Sequence, residues 1–205
     1  ILQTPVRELD AVHGKRTFHE NVTVQSETSL EGIKGRVADL TVTVQPGESR
    51  SFPLKLAADA DHHTSLTYDP YTSELTLDRS YAGSRADIVH RRSCKVRSQN
   101  GALKLRILLD KNSIEVFAND GEQTMTAWIY TPQSADGITF AADGKATVTV
   151  LYGNRKGKKR PGRSQIPQPC RISGNTGISE INYFSRTIRP SSEISHPPFV
   201  RCTMR

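Results

Sequence analysis

An antiparallel β-sandwich is the fold this sequence predicts, on three observations. Between Asn21 and Tyr152, short runs place an apolar residue at every second position, about ten times over. Turn-forming pairs such as Pro46-Gly47, Asp69-Pro70, Asp120-Gly121 and Asp143-Gly144 separate the runs at strand rather than helix spacing. No long stripe of helical period interrupts them. Two layers of such strands can bury their apolar sides against each other, and a body of roughly 150 residues is large enough for a core.

Taken in order, residues 1–20 read as a connector, with Pro5, Val6, Leu9 and Val12 spaced for one helical turn among charges. The strands open after Asn21 with Val22-Thr23-Val24. Over Val37–Val44, Leu40, Val42 and Val44 fall on one side, Thr41 and Thr43 on the other. Phe52, Leu54 and Leu56 alternate next. Leu66 and Tyr68 come before Asp69-Pro70, and Leu75 and Leu77 after it. Residues 103–130 read as a three-stranded meander. Ile138 and Phe140, then Val148 and Val150, complete the series.

The meander can be checked by counting. A two-residue turn at Asp120-Gly121 needs φ > 0, which Gly tolerates and Asp accepts better than most residues. It sets Val116 opposite Met125, Ile114 opposite Ala127 and Phe117 opposite Thr124. A tight turn at Lys111-Asn112 sets Leu109 opposite Ile114, Ile107 opposite Val116 and Leu105 opposite Ala118. All the pairs on one face are then apolar. The other face carries Lys104, Arg106, Leu108, Glu115, Phe117, Thr126, Trp128 and Tyr130. Three rings among polar groups suggest a partly covered surface, by a loop of this chain or by another domain. Glu115, Phe117, Trp128 and Tyr130 are therefore the candidate domain-interface or sugar-contact residues.

Charge divides the chain. Residues 1–152 hold 17 Lys and Arg against 19 Asp and Glu, whereas residues 153–205 hold 11 against 2. The body offers no electrostatic reason to bind nucleic acid. The tail runs through Arg155-Lys156-Gly157-Lys158-Lys159-Arg160 and carries six of the eleven prolines. It has too little clustered apolar surface to offset its ordering entropy, so disorder is expected there. Cys94, Cys170 and Cys202 show neither a disulfide framework nor metal-ligand spacing. Neither a membrane-spanning run nor a signal peptide is visible. The cytoplasm is therefore favoured as compartment, while a secreted parent stays open because the chain opens at Ile1 without an initiator Met.

The words of the meander carry a family likeness. Leu108 to Glu122, reading LLDKNSIEVFANDGE, resembles the LD-x-S-S-I-E-V-F-x-N-D-G-E motif in the C-terminal β-sandwich of glycoside hydrolase family 32. Gln3-Thr4-Pro5-Val6-Arg7-Glu8-Leu9 resembles the family's entry into that sandwich. Tyr68-Asp69-Pro70 through Leu75-Thr76-Leu77-Asp78-Arg79 resembles its Y-D … L-x-L-D-R strand pair, with Arg91 or Arg92 as the arginine that follows. Met125 to Tyr130 is similar to its M-T-x-R-I-Y run, with Trp128 in place of the arginine.

The resemblance implies a two-domain enzyme acting on sucrose or fructans. A catalytic propeller would carry its nucleophile in W-M-N-D-P-N-G, its acid/base in E-C and a stabilising aspartate in R-D-P. None of these words occurs here, so no catalytic residue carries over. Residues 1–20 are then the linker from a missing catalytic domain and 21–152 the sandwich module. The propeller is the expected partner, with possible fructan or sucrose contact. Neither membrane nor nucleic acid is expected as a partner, and neither a cofactor nor a metal. Residues from about 153 onward are read as a basic extension that arose by a frame shift or fusion.

Other constellations favour plain readings. Glu115 has no second carboxylate placed near it by the hairpin, and acid–base chemistry on a glycosidic bond needs one. His62-His63 and the neighbouring Asp59 and Asp61 read as a solvated loop, and Cys94, despite Arg91, Arg92 and Lys95, as a strand thiol. Two alternatives remain: a carbohydrate-binding sandwich stacking sugars on Phe117, Trp128 and Tyr130, and polyanion binding by the tail.

Overall fold

A computed structural model describes residues 2–83 and 89–155. Among these residues the strands are, in chain order, β1 (His13–Val24), β2 (Ala38–Gln45), β3 (Phe52–Ala58), β4 (Thr64–Asp69), β5 (Glu74–Asp78), β6 (Arg91–Lys95), β7 (Leu103–Asp110), β8 (Ser113–Ala118), β9 (Gln123–Trp128), β10 (Gly137–Phe140) and β11 (Ala146–Arg155). Two antiparallel sheets result. One has the order β1-β11-β2-β7-β8-β9, the other β10-β3-β4-β5-β6. The sandwich is all-β, as the alternation predicts.

The inward residues are those the period-2 reading selects. On the first sheet Leu40, Val42, Val44, Leu105, Ile107, Ile114, Val116, Val148 and Val150 are at most 1% exposed. They meet Phe52, Leu54, Leu56, Leu66, Tyr68, Leu75, Leu77 and Phe140 of the second in one continuous core. Each such large side chain contributes about 1.5–3 kcal/mol by leaving water. Cross-strand register keeps the layers apolar: Leu54 pairs with Leu66 and Leu66 with Leu77.

The meander adopts the counted register, with Leu109↔Ile114, Ile107↔Val116, Ile114↔Ala127 and Val116↔Met125. Its second turn is wider than expected. Ala118 pairs with Gln123, and Asn119, Asp120 and Gly121 all take positive φ between them. The Asn119 side chain stabilises this shape by donating to the Arg97 carbonyl and accepting from the Lys104 amide.

Two strands extend what alternation could reveal. β6 is almost wholly exposed (Arg91, Arg92, Ser93, Lys95) and turns only Cys94 inward. β1 starts at His13, within the stretch read as a connector, and pairs along β11 with register shifts between His13 and Arg16 and between His19 and Val22. Before it, Arg7–Val12 forms a 3₁₀ turn. Gly153–Arg155, assigned to the tail from composition, close β11. The disorder expected of the tail concerns residues 156–205, which lie outside the described residues.

Candidate functional site

The outer face of the six-stranded sheet holds Glu115, Phe117 and Trp128 of the sequence-selected site residues. One row across it runs Phe18, Leu151, Thr41, Arg106, Phe117 and Thr124. The next runs Arg16, Gly153, Asp39, Leu108, Glu115 and Thr126. Trp128 pairs with Ser113 at the β9 edge and is 64% exposed, and Tyr130, just past the strand, is 48% exposed. Glu115 and Phe117 are half-buried.

A strap made of residues 3–12 crosses this face. Its Gln3 amide donates to the Gly121 carbonyl, and Thr124 Oγ1 donates to Gln3 Oε1 at 2.6 Å. At its other end Asp10 receives Arg106 Nη2 at 2.9 Å. Phe117 lies between Thr124 and Arg106 in the row, hence between the two anchors. The strap's Pro5 and Leu9 are half-buried, whereas its Val6 is exposed. A segment of this same chain thus covers part of the ringed face.

Beneath the strap the structure assembles a group that residue-by-residue reading missed. Arg106 donates to both oxygens of Asp39, Nε to Oδ1 at 3.1 Å and Nη2 to Oδ2 at 2.7 Å. His13 Nε2 lies 2.8 Å from Asp39 Oδ2, and Arg16 Nη2 lies 2.9 Å from His13 Nδ1. A guanidinium can only donate, so Nδ1 accepts and Nε2 carries the hydrogen given to Asp39. Burial pushes the Asp39 carboxyl upward, but the Arg106 and His13 hydrogen bonds outweigh it and hold the group below the ordinary aspartate value. The same pairing with Asp39 raises Arg106. With Thr41, Leu151 and Gly153 these residues line a cleft of about 290 Å³.

Asp10, His13 and Asp39 bring ligand-type atoms within 4.8 Å of one another. The Arg106 guanidinium already supplies positive charge to both carboxylates, so the donor set is committed to an internal ion-pair network. The sequence hints at it only weakly: Asp39 is the one charge in β2, whereas Arg106 shares β7 with Lys104 and Asp110. Asp10 and His13 carry no local signal.

Two buried arginines brace the neighbouring loops. Arg36 donates to the Thr131 hydroxyl and to the Lys111 carbonyl, tying the β7–β8 turn to the segment after β9. Arg79, singled out by its strand motif, donates to the Trp128 and Val89 carbonyls and so positions the main chain beside Trp128. The plain readings of the other groups fit their surroundings. Asp59 accepts from the Asp61 and His62 amides, His63 stacks on Tyr81 with ring centroids 5.0 Å apart, and burial followed by the Glu74 charge raises the Cys94 thiol.

The model of the glycosyl hydrolase family 32 C-terminal domain matches residues 8–152, from the strap into β11. The chain belongs to that family. A levanase of Bacillus subtilis (strain 168) is 32% identical to this family 32 domain over 160 residues, covering 74% of the chain and 24% of that protein. A probable sucrose-6-phosphate hydrolase of Vibrio cholerae is 34% identical over 152 residues, covering 74% and 25%. Among solved structures, the exo-inulinase of Aspergillus awamori superposes with a TM-score of 0.67 over 76% of this chain and 32% of that one. At 21% identity that likeness speaks for the fold alone. The chain spans about a quarter of the length of these two curated relatives.

Proposed function

We propose that this chain is the non-catalytic β-sandwich module of a family 32 glycoside hydrolase acting on sucrose or fructans, and that it stabilises a catalytic propeller domain by packing beside it. The observation that supports this best is the condition of its carboxylates. Retaining hydrolysis of a glycosidic bond needs a nucleophilic carboxylate and a second carboxyl that is protonated at the outset, the two about 5–5.5 Å apart across the bond. Asp39 is held ionised with both oxygens on Arg106, and Asp10 is paired with the same guanidinium. The network suits a structural tie and opposes the raised pKa of a general acid.

Assay of the purified chain against sucrose, inulin and levan tests the proposal. No fructose release is expected; turnover that persists through further purification steps would overturn it. A second reading, sugar stacking on Trp128 and Tyr130, draws on the exposure of these two rings. It requires a saturable change in Trp128 fluorescence on fructan titration, and a flat titration rejects it.

A further inference from the structure

The cleft under the strap has features that an ion-pair tie alone does not need. Its lining places two guanidinium groups, Arg16 and Arg106, against two carboxylates, Asp10 and Asp39, so its charges balance. Asp39 is only 5% exposed and is fixed by three hydrogen bonds. Hydrogen-bonding capacity is left over. Among the described residues, Asp10 Oδ2, the Thr41 hydroxyl and Arg106 Nη1 have no protein partner. The apolar lining is Leu151, 39% exposed; Phe18, its cross-strand partner on the edge strand, is 58% exposed beside it and outside the lining.

We propose that this cleft binds a neutral sugar, with the Asp10, Thr41 and Arg106 groups taking its hydroxyls and Phe18 and Leu151 receiving the C–H face of its ring. A sugar hydroxyl both donates and accepts, so a carboxylate beside a guanidinium can serve neighbouring hydroxyls at once. A phosphate or a metal ion would favour a site with an excess of one charge, which this one lacks. The volume of about 290 Å³ suits one monosaccharide unit, being at the lower end of ligand pockets. Because the network is already assembled, little ordering opposes binding. The site is at the opposite edge of the sheet from Trp128.

The test is a titration of the full chain with fructose, sucrose and an inulin-derived fructo-oligosaccharide, followed by amide chemical shifts and calorimetry. Saturable binding with shifts at Thr41, Arg106 and Leu151 is expected. Phe18→Ala and Thr41→Val should each weaken it about tenfold, and Trp128→Ala should leave it unchanged. Loss on Trp128→Ala alone, displacement by millimolar sulfate, or no saturation with any of the three sugars would overturn the proposal. Fructose release in the same samples would count against the non-catalytic reading and leave the binding result standing.

Discussion

Arg106 holds Asp39 through two parallel hydrogen bonds that run diagonally from β7 to β2, on a sheet face that strand alternation assigns to solvent. The strap makes the difference. With Asp10 and His13 drawn over it, Asp39 is 5% exposed. A planar guanidinium suits such a site because it fits both carboxylate oxygens at once.

Removal of one partner should therefore be costly. Arg106→Ala leaves a buried carboxylate without its counter-charge and is expected to destabilise the domain by about 3–5 kcal/mol. Asp10→Ala breaks a pair whose acid is 59% exposed and should cost no more than about 1 kcal/mol. Urea denaturation of the two variants checks the ordering.

The network also sets a pH dependence. Asp39 is lowered in the folded state, so its contribution is complete above the unfolded aspartate pKa of about 3.9 and is lost as pH falls through the lower folded value. Asp39→Asn should be less stable than the parent at pH 6, and the gap should close progressively below about pH 4. Thermal melts across that range measure it.

Gly121 anchors the strap's other end. Its φ is +92°, and a Cβ there would lie 1.9 Å from the Gln3 carbonyl oxygen, a backbone atom that can move only if the strap lifts. Gly121→Ala should cost about 1 kcal/mol through the left-handed backbone alone. It should also expose the Gln3 amide, now bonded to the Gly121 carbonyl, to rapid hydrogen exchange.

Arg36 is a buried brace whose loss strands its acceptors. Arg36→Met keeps much of the side-chain bulk but leaves the Thr131 hydroxyl without its donor and the Lys111 carbonyl with Gln133 Nε2 alone. A loss of about 2–3 kcal/mol is expected. Slower exchange at Ile129, whose amide bonds to the Asn112 carbonyl next to this loop, would contradict it.

Much of the fold was legible because strand alternation is local. Leu40, Val42 and Val44 declare their buried side within a few residues, and counting across the short connections of the meander set its pairings even though the second is wider than a two-residue turn. β6 escaped because an exposed edge strand such as Arg91–Lys95 buries almost nothing and so leaves no apolar rhythm. The start of β1 escaped for a similar reason, since most of His13–Val24 is only partly covered.

The candidate site was legible in part. Alternation placed Glu115, Phe117 and Trp128 on one face, and the structure keeps them there. It could not tell that Leu108, outward by period, is only 6% exposed.

The sequence by itself determined the all-β class, the inward residues, the meander register and the family, because each is written in short-range pattern or in contiguous words. Only the tertiary structure decided that β1 joins β11 and that residues 10, 13, 39 and 106 meet. The Asp10–Arg106 contact links positions 96 residues apart, and β1–β11 pairs such as Val22↔Val148 lie farther still. They form because the strap must fold back over a sheet whose strand order follows from packing two layers, a global outcome that no local window encodes.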